Sequence, residues 1–376
     1  MAVPFFDVHA VWDDEVRAAV LERWRRVLEH GRFVHGPEIG ELEAALTAVL
    51  GVPHVVGCSN GSDALVLGLR LCDVGPGDEV VVPALTFFAT AGAVARVGAV
   101  PVFADVDPET LTLDPEDAAR RGGPRTKAVV PVHLYGRPAP VGALREAVES
   151  AAGRPVAVVE DAAQAIGAAS EEGSVGALGR AAGWSCFPTK NLGAAGDAGF
   201  VTVGDPADAE RARRLREHGG GRRYHHDEVG YNFRMDTLQA AALLELLPRL
   251  PGFTAARREG ARHYRELLDS AGLGVEAGGP VSVPPDHPGH VYHQFVVRVP
   301  ERDRVRAAMA ERGVSTAVYY PLGLHLQPCF ADLGGRVGDL PETERATAEL
   351  LALPIHPGVT AAQREEVVAA LREALS

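Results

Sequence analysis

Short runs of β-branched and small apolar residues alternate, through the first 250 positions, with stretches in which apolar residues recur at helical spacing. Glycine and proline separate the two kinds of segment. This alternation is typical of a parallel sheet covered by helices on both faces. The apolar runs predict seven strands, at residues 54–58, 79–83, 99–103, 128–132, 156–160, 182–187 and 199–203. The periodic stretches predict helices at residues 38–50, 63–71, 88–97, 141–152, 207–218 and 236–247.

The pattern changes near Pro251. The remaining segment predicts a long helix at 254–271, a strand around 292–299, a helix at 303–312, a strand near 315–319 and a terminal helix. We therefore expect an α/β protein with a mixed, mostly parallel seven-stranded sheet in a large domain, residues 1–250. A smaller α+β domain of ordinary size would follow, residues 251–376.

Composition narrows the class of protein. The 376 residues are 46% hydrophobic, enough for a substantial core. A net charge of -13 argues against nucleic-acid or anionic-membrane binding, because such surfaces need clustered basic residues. No apolar run approaches the roughly 18 residues of a membrane span, and the first residues lack a signal-peptide pattern, so we expect a cytoplasmic protein. The four cysteines show no paired spacing, which argues against disulfides and zinc.

Lysine is scarce in this chain, which has 35 arginines and two lysines, Lys127 and Lys190. Arginine cannot replace lysine where an amine must lose its proton and attack a carbonyl carbon. Lys190 lies in the segment SCFPTKNLG, residues 185–193, directly after a predicted strand. It is therefore a candidate for covalent chemistry. Composition alone does not separate it from Lys127, so the neighbouring motifs must decide.

Other unusual residues also follow predicted strands, where the carboxyl ends of a parallel sheet gather ligands. The segment SNGSD, residues 59–63, precedes a helix whose N-terminus could bind a phosphate. An ordinary turn with Ser62 or Asp63 as the helix cap is the simpler explanation of that segment alone. Phe87, in PALTFFAT, could lie flat on an aromatic ligand, although a phenylalanine at such a position more often packs in a core.

Two acids, Glu160 and Asp161, end the apolar strand at 156–160. Burial of a carboxylate is costly without a cationic or hydrogen-bonding partner, and a protonated ring nitrogen would supply one. Phosphate cradle, stacking ring, carboxylate and lysine then occur in one chain in that order. This combination matches the requirements of pyridoxal phosphate.

From residue 36 to residue 360 the chain resembles the DegT/StrS family of sugar aminotransferases, which belong to the fold-type I pyridoxal-phosphate enzymes. The resemblance rests on SNGSDAL (59–65), GPGDEVVVPALTF (75–87), PVFADVDP (101–108), PVHLYG (131–136), EDAAQAIGA (160–168), SCFPTKNLGAAGDAG (185–199), GYNFRMDTLQAA (230–241) and YYPLGLHLQP (319–328).

The resemblance implies roles for individual residues. Lys190 would form the internal aldimine with the cofactor and then move protons, and Asp161 would keep the pyridine nitrogen protonated. Gln164 would contact the ring hydroxyl, and Phe87 would stack on the ring. The cofactor phosphate would be held by Gly61, Ser62 and Ser185.

The resemblance also implies a shared assembly. Asn232 would reach the cofactor phosphate in the site of the partner subunit, which implies a homodimer with shared active sites. The resemblance places Tyr320 and His325 at the sugar, with Arg234 beside Asn232 as a further substrate-binding candidate. The loop at 218–232 itself offers Arg222 or Arg223 to an anionic group of the substrate. The loop at 218–232 could equally be a solvated hairpin. Its acidic and histidine residues at 225–228 are adjacent and lack a third spaced ligand, so we expect no metal site.

The resemblance implies transfer of an amino group to the keto carbon of a nucleotide-linked sugar. The donor would be an amino acid, which in this family is usually glutamate, and pyridoxamine phosphate would be the intermediate. The stretch at 222–241 most resembles members that aminate carbon 3 of UDP-linked 2-acetamido sugars or their uronic acids. Amination at carbon 3 or 4 of a dTDP-linked deoxysugar stays open. Two further alternatives are a pyridoxamine-dependent sugar dehydratase, against which Lys190 argues, and a non-enzymatic regulatory member.

Overall fold

The computed structural model of the protein describes residues 2–222 and 224–376. Its strands are β1 (His54–Cys58), β2 (Glu79–Pro83), β3 (Val100–Ala104), β4 (Thr126–Val129), β5 (Ala157–Asp161), β6 (Ala169–Ser170), β7 (Gly173–Ser174), β8 (Ala181–Ser185), β9 (Gly199–Val203), β10 (Gly220–Arg222), β11 (His225–His226), β12 (Phe295–Arg298) and β13 (Leu350–Leu353). Its α-helices are α1 (Asp14–His30), α2 (Pro37–Leu50), α3 (Gly61–Leu71), α4 (Ala89–Arg96), α5 (Pro115–Arg121), α6 (Val141–Ala152), α7 (Pro206–Leu215), α8 (Thr237–Leu246), α9 (Leu250–Ser270), α10 (Arg302–Glu311), α11 (Pro341–Glu349) and α12 (Ala361–Leu375).

A seven-stranded sheet organises the first two thirds of the chain, in the order β1-β9-β8-β5-β4-β2-β3. Every neighbouring pair is parallel except the two that involve β9. The sheet is therefore mixed and mostly parallel, as the sequence predicts. The seven predicted strands all form, with their ends displaced by up to three residues.

Helix α3 lies unusually close to the centre of the sheet. A Cβ atom on Gly68 would come within 2.8 Å of Val159 on β5, and one on Gly183 of β8 within 2.8 Å of Leu65. Two missing side chains, one on the helix and one on the strand, thus permit the contact. The close packing fixes the N-terminus of α3 above the carboxyl end of β8.

The cap of α3 differs from the sequence-based expectation. Asn60, and neither Ser62 nor Asp63, occupies the cap position, and its Oδ1 accepts a hydrogen bond from the backbone N–H of Asp63 at 2.9 Å. Asparagine is an excellent cap, because its amide oxygen satisfies one of the free N–H groups of the first turn. Ser62 is left free for another role.

Hydrophobic packing covers both faces of the sheet. One cluster joins α1, α2 and α8 to the face that includes Trp184 and Phe200, and another joins α3, α4 and α7 to the opposite face. A further cluster joins α9, α10 and α12 to β12 and β13, and it includes Val3 from the N-terminal segment. The division of the chain at residue 250 stays a prediction, and that position falls at the start of α9.

The predicted strand at 315–319 is wrong. In this segment Ala317 makes a single bridge to Ala352, Val314 just before it makes one to Val3, and the strand that pairs with β12 is β13. Past the bridge at Ala317, the carbonyl of Tyr319 accepts a hydrogen bond from the hydroxyl of Tyr135 and so has a partner outside the sheet.

Three helices, α1, α5 and α11, were outside the sequence-based prediction. All three begin with capping or N-terminal signals, such as the side chain of Asp13, which accepts from the N–H of Val16 at 2.8 Å. None of the helices within residues 2–222 and 224–376 has the length and apolar character needed to span a bilayer.

Candidate active site

A cavity of about 630 Å³ opens where the carboxyl ends of β1, β2, β5 and β8 meet. Its volume lies within the range of about 300–1,000 Å³ that small-molecule sites occupy. The residues that line it include most of those singled out from the sequence: Gly61, Ser62, Phe87, Asp161, Gln164, Ser185, Lys190 and Tyr320. Residues more than 250 positions apart in the chain therefore meet in one place.

Lys190 reaches this cavity from a tight turn after β8. Its backbone N–H donates to the carbonyl of Phe187 at 2.8 Å, and a Cβ atom on Gly193 would lie only 2.4 Å from the carbonyl oxygen of Pro188. The glycine thus allows the loop to fold back on itself. Burial lowers the pKa of Lys190 to about 8, although the nearby charge of Asp161 acts to raise it. The amine is therefore far more often neutral than an ordinary lysine.

Asp161 ends β5 and is 5% exposed. Its Oδ2 accepts a hydrogen bond from the hydroxyl of Thr90 at 2.7 Å, and its Oδ1 accepts one from the backbone N–H of Ala163 at 3.2 Å. Thr86 in turn lies 2.9 Å from the Thr90 hydroxyl. Burial raises the pKa of Asp161 above its ordinary value in spite of these donors. Among the described residues Asp161 makes no ion pair, and the charge of Lys190 acts on it only from a greater distance.

Glu160 has a different partner set, because successive residues of a strand point to opposite faces. It is completely buried and accepts hydrogen bonds from His133 at 3.0 Å and from the backbone N–H groups of Gly176 and Gly179 at 2.9 and 2.7 Å. Burial would raise the pKa of Glu160, but these donors hold it below the ordinary value. Of the two acids at the end of β5, only Asp161 faces the cavity.

The N-terminus of α3 also lines the cavity, through Asn60, Gly61 and Ser62. The backbone N–H groups of Gly61 and Ser62 make no hydrogen bond within the described residues. A Cβ atom on Gly61 would come within 2.6 Å of the Cβ of Ser185, so the serine hydroxyl lies directly beside the helix end. Asp63, in the first turn, is paired with Arg96 at 2.9 Å. Free N–H groups, two hydroxyls and the helix dipole suit a phosphate.

Three side chains form the remaining wall near the ring position. Gln164 accepts a hydrogen bond from the backbone N–H of Tyr135 at 2.6 Å and donates to the hydroxyl of Tyr320 at 3.3 Å. The ring of Phe87 is 56% exposed, with its centroid 6.0 Å from that of Tyr320. An exposed phenyl ring at the mouth of a polar cavity can cover a flat ligand.

The donor set fits pyridoxal phosphate. The cofactor needs a nucleophilic amine, an acid for its ring nitrogen and donors for its phosphate, and the cavity supplies Lys190, Asp161 and the α3 terminus. A protonated ring nitrogen would give the buried carboxylate of Asp161 a direct ion-pair partner, which no described residue supplies.

Several residues with roles implied by the resemblance do not line this cavity in a single chain. Asn232 is exposed and bridges to Glu217, and Arg234 lies two positions further on. Arg222 is exposed in β10, while Arg223 lies outside the described residues. The exposed positions leave Asn232 and Arg222 accessible to another molecule.

His325 is 3% exposed and its Nε2 lies 3.2 Å from Glu344. The histidine therefore packs beneath the segment that follows Tyr320 and does not line the cavity. In the hairpin that precedes α8, His225 and His226 form β11. Among residues 2–222 and 224–376, no three His, Cys, Asp or Glu side chains are close enough to hold a metal ion.

Sequence reasoning missed residues that line the cavity from β12 and its approach, chiefly His293 and Gln294. His293 is 5% exposed, and its Nδ1 lies 3.2 Å from the Oδ1 of Asn191. The side-chain amide of Asn191 donates to the carbonyl of Val291 at 3.2 Å, so its Oδ1 is the acceptor and His293 carries its proton on Nδ1. Burial lowers the pKa of His293 well below the ordinary value. The signal available in the sequence was that two polar residues, His293 and Gln294, directly precede the apolar strand β12.

Comparison with known proteins bears on this site. The model of the DegT/DnrJ/EryC1/StrS aminotransferase family matches residues 14–372. A protein of Geobacillus stearothermophilus named pleiotropic regulatory protein is 44% identical over 99% of this chain and 98% of its own length. The dTDP-3-amino-3,4,6-trideoxy-alpha-D-glucose transaminase of Streptomyces venezuelae is 41% identical, over 99% and 96%. The UDP-N-acetyl-3-dehydro-alpha-D-glucosamine 3-aminotransferase of Acidithiobacillus ferrooxidans is 38% identical, over 100% and 98%.

A solved structure gives the same result for the fold. The crystal structure of DesV from S. venezuelae, in complex with a ketimine intermediate, superimposes with a TM-score of 0.92. That protein is 40% identical, and the match covers 99% of this chain and 98% of DesV. The predicted fold class, a fold-type I transferase, is confirmed. On its sequence, its fold and its cavity, this chain is an enzyme of the DegT/DnrJ/EryC1/StrS aminotransferase family.

Proposed function

We propose that the protein uses pyridoxal phosphate to move an amino group from an amino acid to the keto carbon of a nucleotide-linked sugar. The observation that carries this proposal is the meeting of Lys190 and Asp161 in one cavity with the free N-terminus of α3. Each of these features alone has a simpler structural explanation. Their convergence from separate strands is what a cofactor-dependent transferase requires.

Pyridoxal phosphate, when bound, supplies an aldehyde carbon that can carry an amino group and a ring that accepts electrons. Gly61, Ser62 and Ser185 would hold its phosphate, and Asp161 its ring nitrogen. Gln164 would contact the ring hydroxyl and Phe87 would cover the ring. The hydrogen bond from Thr90 to Asp161 at 2.7 Å favours the ionised carboxylate, which a protonated nitrogen needs as its partner.

Lys190 would provide the amine that attaches the cofactor and would then move the proton. A general acid–base group works best when its pKa is near the working pH. The pKa of Lys190 is lowered to about 8 by burial, so its Nζ can both release and accept a proton near neutrality. The same amine argues against a sugar dehydratase, which needs no attached lysine.

The acceptor proposed is carbon 3 of a UDP-linked 2-acetamido-3-keto sugar or its uronic acid. The names of two relatives support carbon 3, since one acts on a dTDP-3-amino sugar and the other on a UDP-linked 3-dehydro sugar. Both relatives have similar identity to this chain, so a dTDP-linked deoxysugar is the second candidate. Tyr320 lines the cavity and would contact the sugar.

The assembly proposed is a homodimer with shared sites, with glutamate as the amino donor. Asn232 and Arg222 are exposed in one chain and do not line its cavity, which suits residues that complete the site of a partner subunit. Arg234, next to Asn232, would accompany it, and His325 would support the sugar-binding segment from beneath. The guanidinium groups of Arg222 and Arg234 would suit a carboxylate or diphosphate group of the substrate.

The test is a half-reaction followed by absorbance. The protein is loaded with pyridoxamine phosphate, nucleotide-linked keto sugars are added one at a time, and the visible band of the lysine-bound cofactor is recorded. Return of the band with the UDP-linked 3-keto sugar is expected. Return only with a dTDP-linked sugar would favour the second candidate. A protein that binds the cofactor but reacts with no amino acid or sugar would support a regulatory role, as in the name of one relative.

Two variants make the assay specific. Lys190→Arg should never develop the band, whereas Lys127→Arg, which alters the other lysine of the chain, should behave as the wild type. The pair separates loss of the reacting amine from a general effect of replacing lysine.

A further inference from the structure

A second, smaller cavity of about 50 Å³ lies directly behind the active-site cavity. The two cavities share four residues, Thr189, His293, Gln294 and Tyr319, which form a common wall. Thr189 precedes Lys190 in the chain. We call this space the rear cavity. It is large enough for a carboxylate group or a few water molecules, and too small for a sugar or a nucleotide.

Arg257 of α9 lines the rear cavity and is 2% exposed. Its Nη1 donates only to backbone carbonyls, at 3.1–3.4 Å, those of Tyr292, His293 and Ile355. Its Nε has no hydrogen-bond partner among the described residues. No ion pair of Arg257 with an acid occurs there either, and burial lowers its pKa to about 10. Within the part of the chain that the structure describes, Arg257 is thus a buried cation that no acid pairs with.

His356 lines the same cavity and is 5% exposed. Its ring nitrogens make no hydrogen bond of normal geometry within the described residues, although the backbone carbonyl of Pro4 lies close enough to act on the ring and to raise its pKa. Burial also lowers the pKa of this histidine, so its ring is neutral and offers one N–H donor. Buried polar groups are nearly always satisfied, and unsatisfied ones gathered around a single space indicate a ligand with acceptor atoms.

We propose that the rear cavity binds the carboxylate of the amino donor, with Arg257 as its cation and the His356 ring N–H as a second donor. This inference rests on the proposed function. A carboxylate supplies the negative charge that Arg257 lacks, whereas water would leave the charge unbalanced. An amino acid has its amine one carbon from its carboxylate, so a carboxylate held beside Thr189 would place the amine at the cavity of Lys190.

The first experiment separates the two half-reactions. In Arg257→Gln the glutamate concentration for half-maximal discharge of the lysine-bound cofactor should rise about 10- to 100-fold, because a charged hydrogen bond is lost. Reaction of the pyridoxamine form with the keto sugar should be unchanged. Arg257→Lys should recover part of the glutamate affinity. The matched control is Arg258→Gln, because Arg258 also donates to a backbone carbonyl, that of His290, at 2.9 Å.

Equal slowing of both half-reactions in Arg257→Gln would show a purely structural role and overturn the proposal. Equal glutamate dependence in all four proteins would also overturn it. If Arg257→Gln fails to fold, which its melting temperature would show, Arg257→Lys and the ligand test below decide.

The second experiment needs no sugar. Glutarate should raise the melting temperature of the cofactor-loaded wild type, and glutaramide, of similar size without charge, should not. The protection should be lost in Arg257→Gln, weaker in Arg257→Lys and intact in Arg258→Gln. If glutarate raised the melting temperature of Arg257→Gln as much as that of the wild type, the proposed carboxylate site would be refuted. If no amino acid discharges the cofactor, the proposed function fails, but Arg257-dependent protection would still uphold the carboxylate site.

Discussion

The lowered pKa of Lys190 gives a quantitative expectation for cofactor attachment. Only the neutral amine attacks an aldehyde, so the rate of attachment at a given pH follows the neutral fraction. With a pKa of about 8, about 9% of Lys190 is neutral at pH 7. A lysine at the ordinary value of 10.5 would be neutral to about 0.03% at the same pH. The neutral fraction is therefore about 300-fold larger than for an ordinary lysine.

This number is testable because the chain has one other lysine. The cofactor-free Lys127→Arg variant is mixed with pyridoxal phosphate at pH 6 to 10, and the initial rate of the visible band is recorded. The rate should rise about tenfold per pH unit below 8 and level off above it, since the pKa of Lys190 is about 8. Borohydride reduction and peptide mapping should then find the label at Lys190.

In wild type, competition between the two lysines provides the internal control. Lys127 lies in β4, away from the cavity, and should stay unlabelled when pyridoxal phosphate is limiting. A rate that keeps rising tenfold per unit up to pH 10 would show that burial does not lower the pKa of Lys190. Labelling of both lysines at similar rates would refute the assignment of Lys190 as the reacting amine.

Other predictions concern the same cavity. Asp161→Ala should lower turnover about 100-fold or more, measured with saturating cofactor, and unchanged turnover would mean that the ring nitrogen has another partner. Thr90→Val should raise the pKa of Asp161 further, because the lost hydrogen bond favours the ionised form, and so move the acid limb of the kcat profile to higher pH; Thr90→Ser should restore it. Lys190→Met should stabilise the cofactor-free protein at pH 7 by about 1–2 kcal/mol, a modest gain because the Lys190 side chain is partly exposed to solvent. Because the pKa of Lys190 is lowered on folding, the unfolded chain binds more protons than the folded chain between pH 8 and 10.5, and the wild type becomes more stable as the pH rises through that window. The stability advantage of Lys190→Met should therefore disappear by about pH 10.5. Heterodimers of Lys190→Ala with Asn232→Ala should keep about one intact site in two if subunits share sites, and fully inactive heterodimers would contradict sharing.

The sheet and its main helices were predictable because their signals are local. Each strand of the sheet is a short apolar run between glycines or prolines, and the periodicity of helices such as α6 is unambiguous. The segment at 315–319 misled the prediction for the same reason. It has a β-like sequence, but β13 is the partner that pairs with β12, and Tyr319 is needed at the cavity.

The motif residues of the site were predictable from the resemblance, yet their side chains' directions were not. Two acids end β5. The fold shows that Glu160 accepts hydrogen bonds from backbone N–H groups of the loop at 176–179, whereas Asp161 faces the cavity. Strand alternation requires the two to diverge, but sequence alone does not show which face is the active one.

Residues that act through burial were the hardest to predict. Arg257 lies among many arginines, and nothing in the local sequence distinguishes it from Arg258 on the same helix. The difference is that Arg257 is buried and makes no ion pair with an acid among the described residues, whereas Arg258 is exposed. A buried charge is recognised only when every neighbour is known, because its meaning depends on the partner that is missing. The same holds for His356, whose ring reads in sequence as one histidine among 14. Unbalanced charge and unsatisfied nitrogen atoms, brought together from positions 257 and 356, are thus properties of the fold, and they locate a binding site that motifs do not mark.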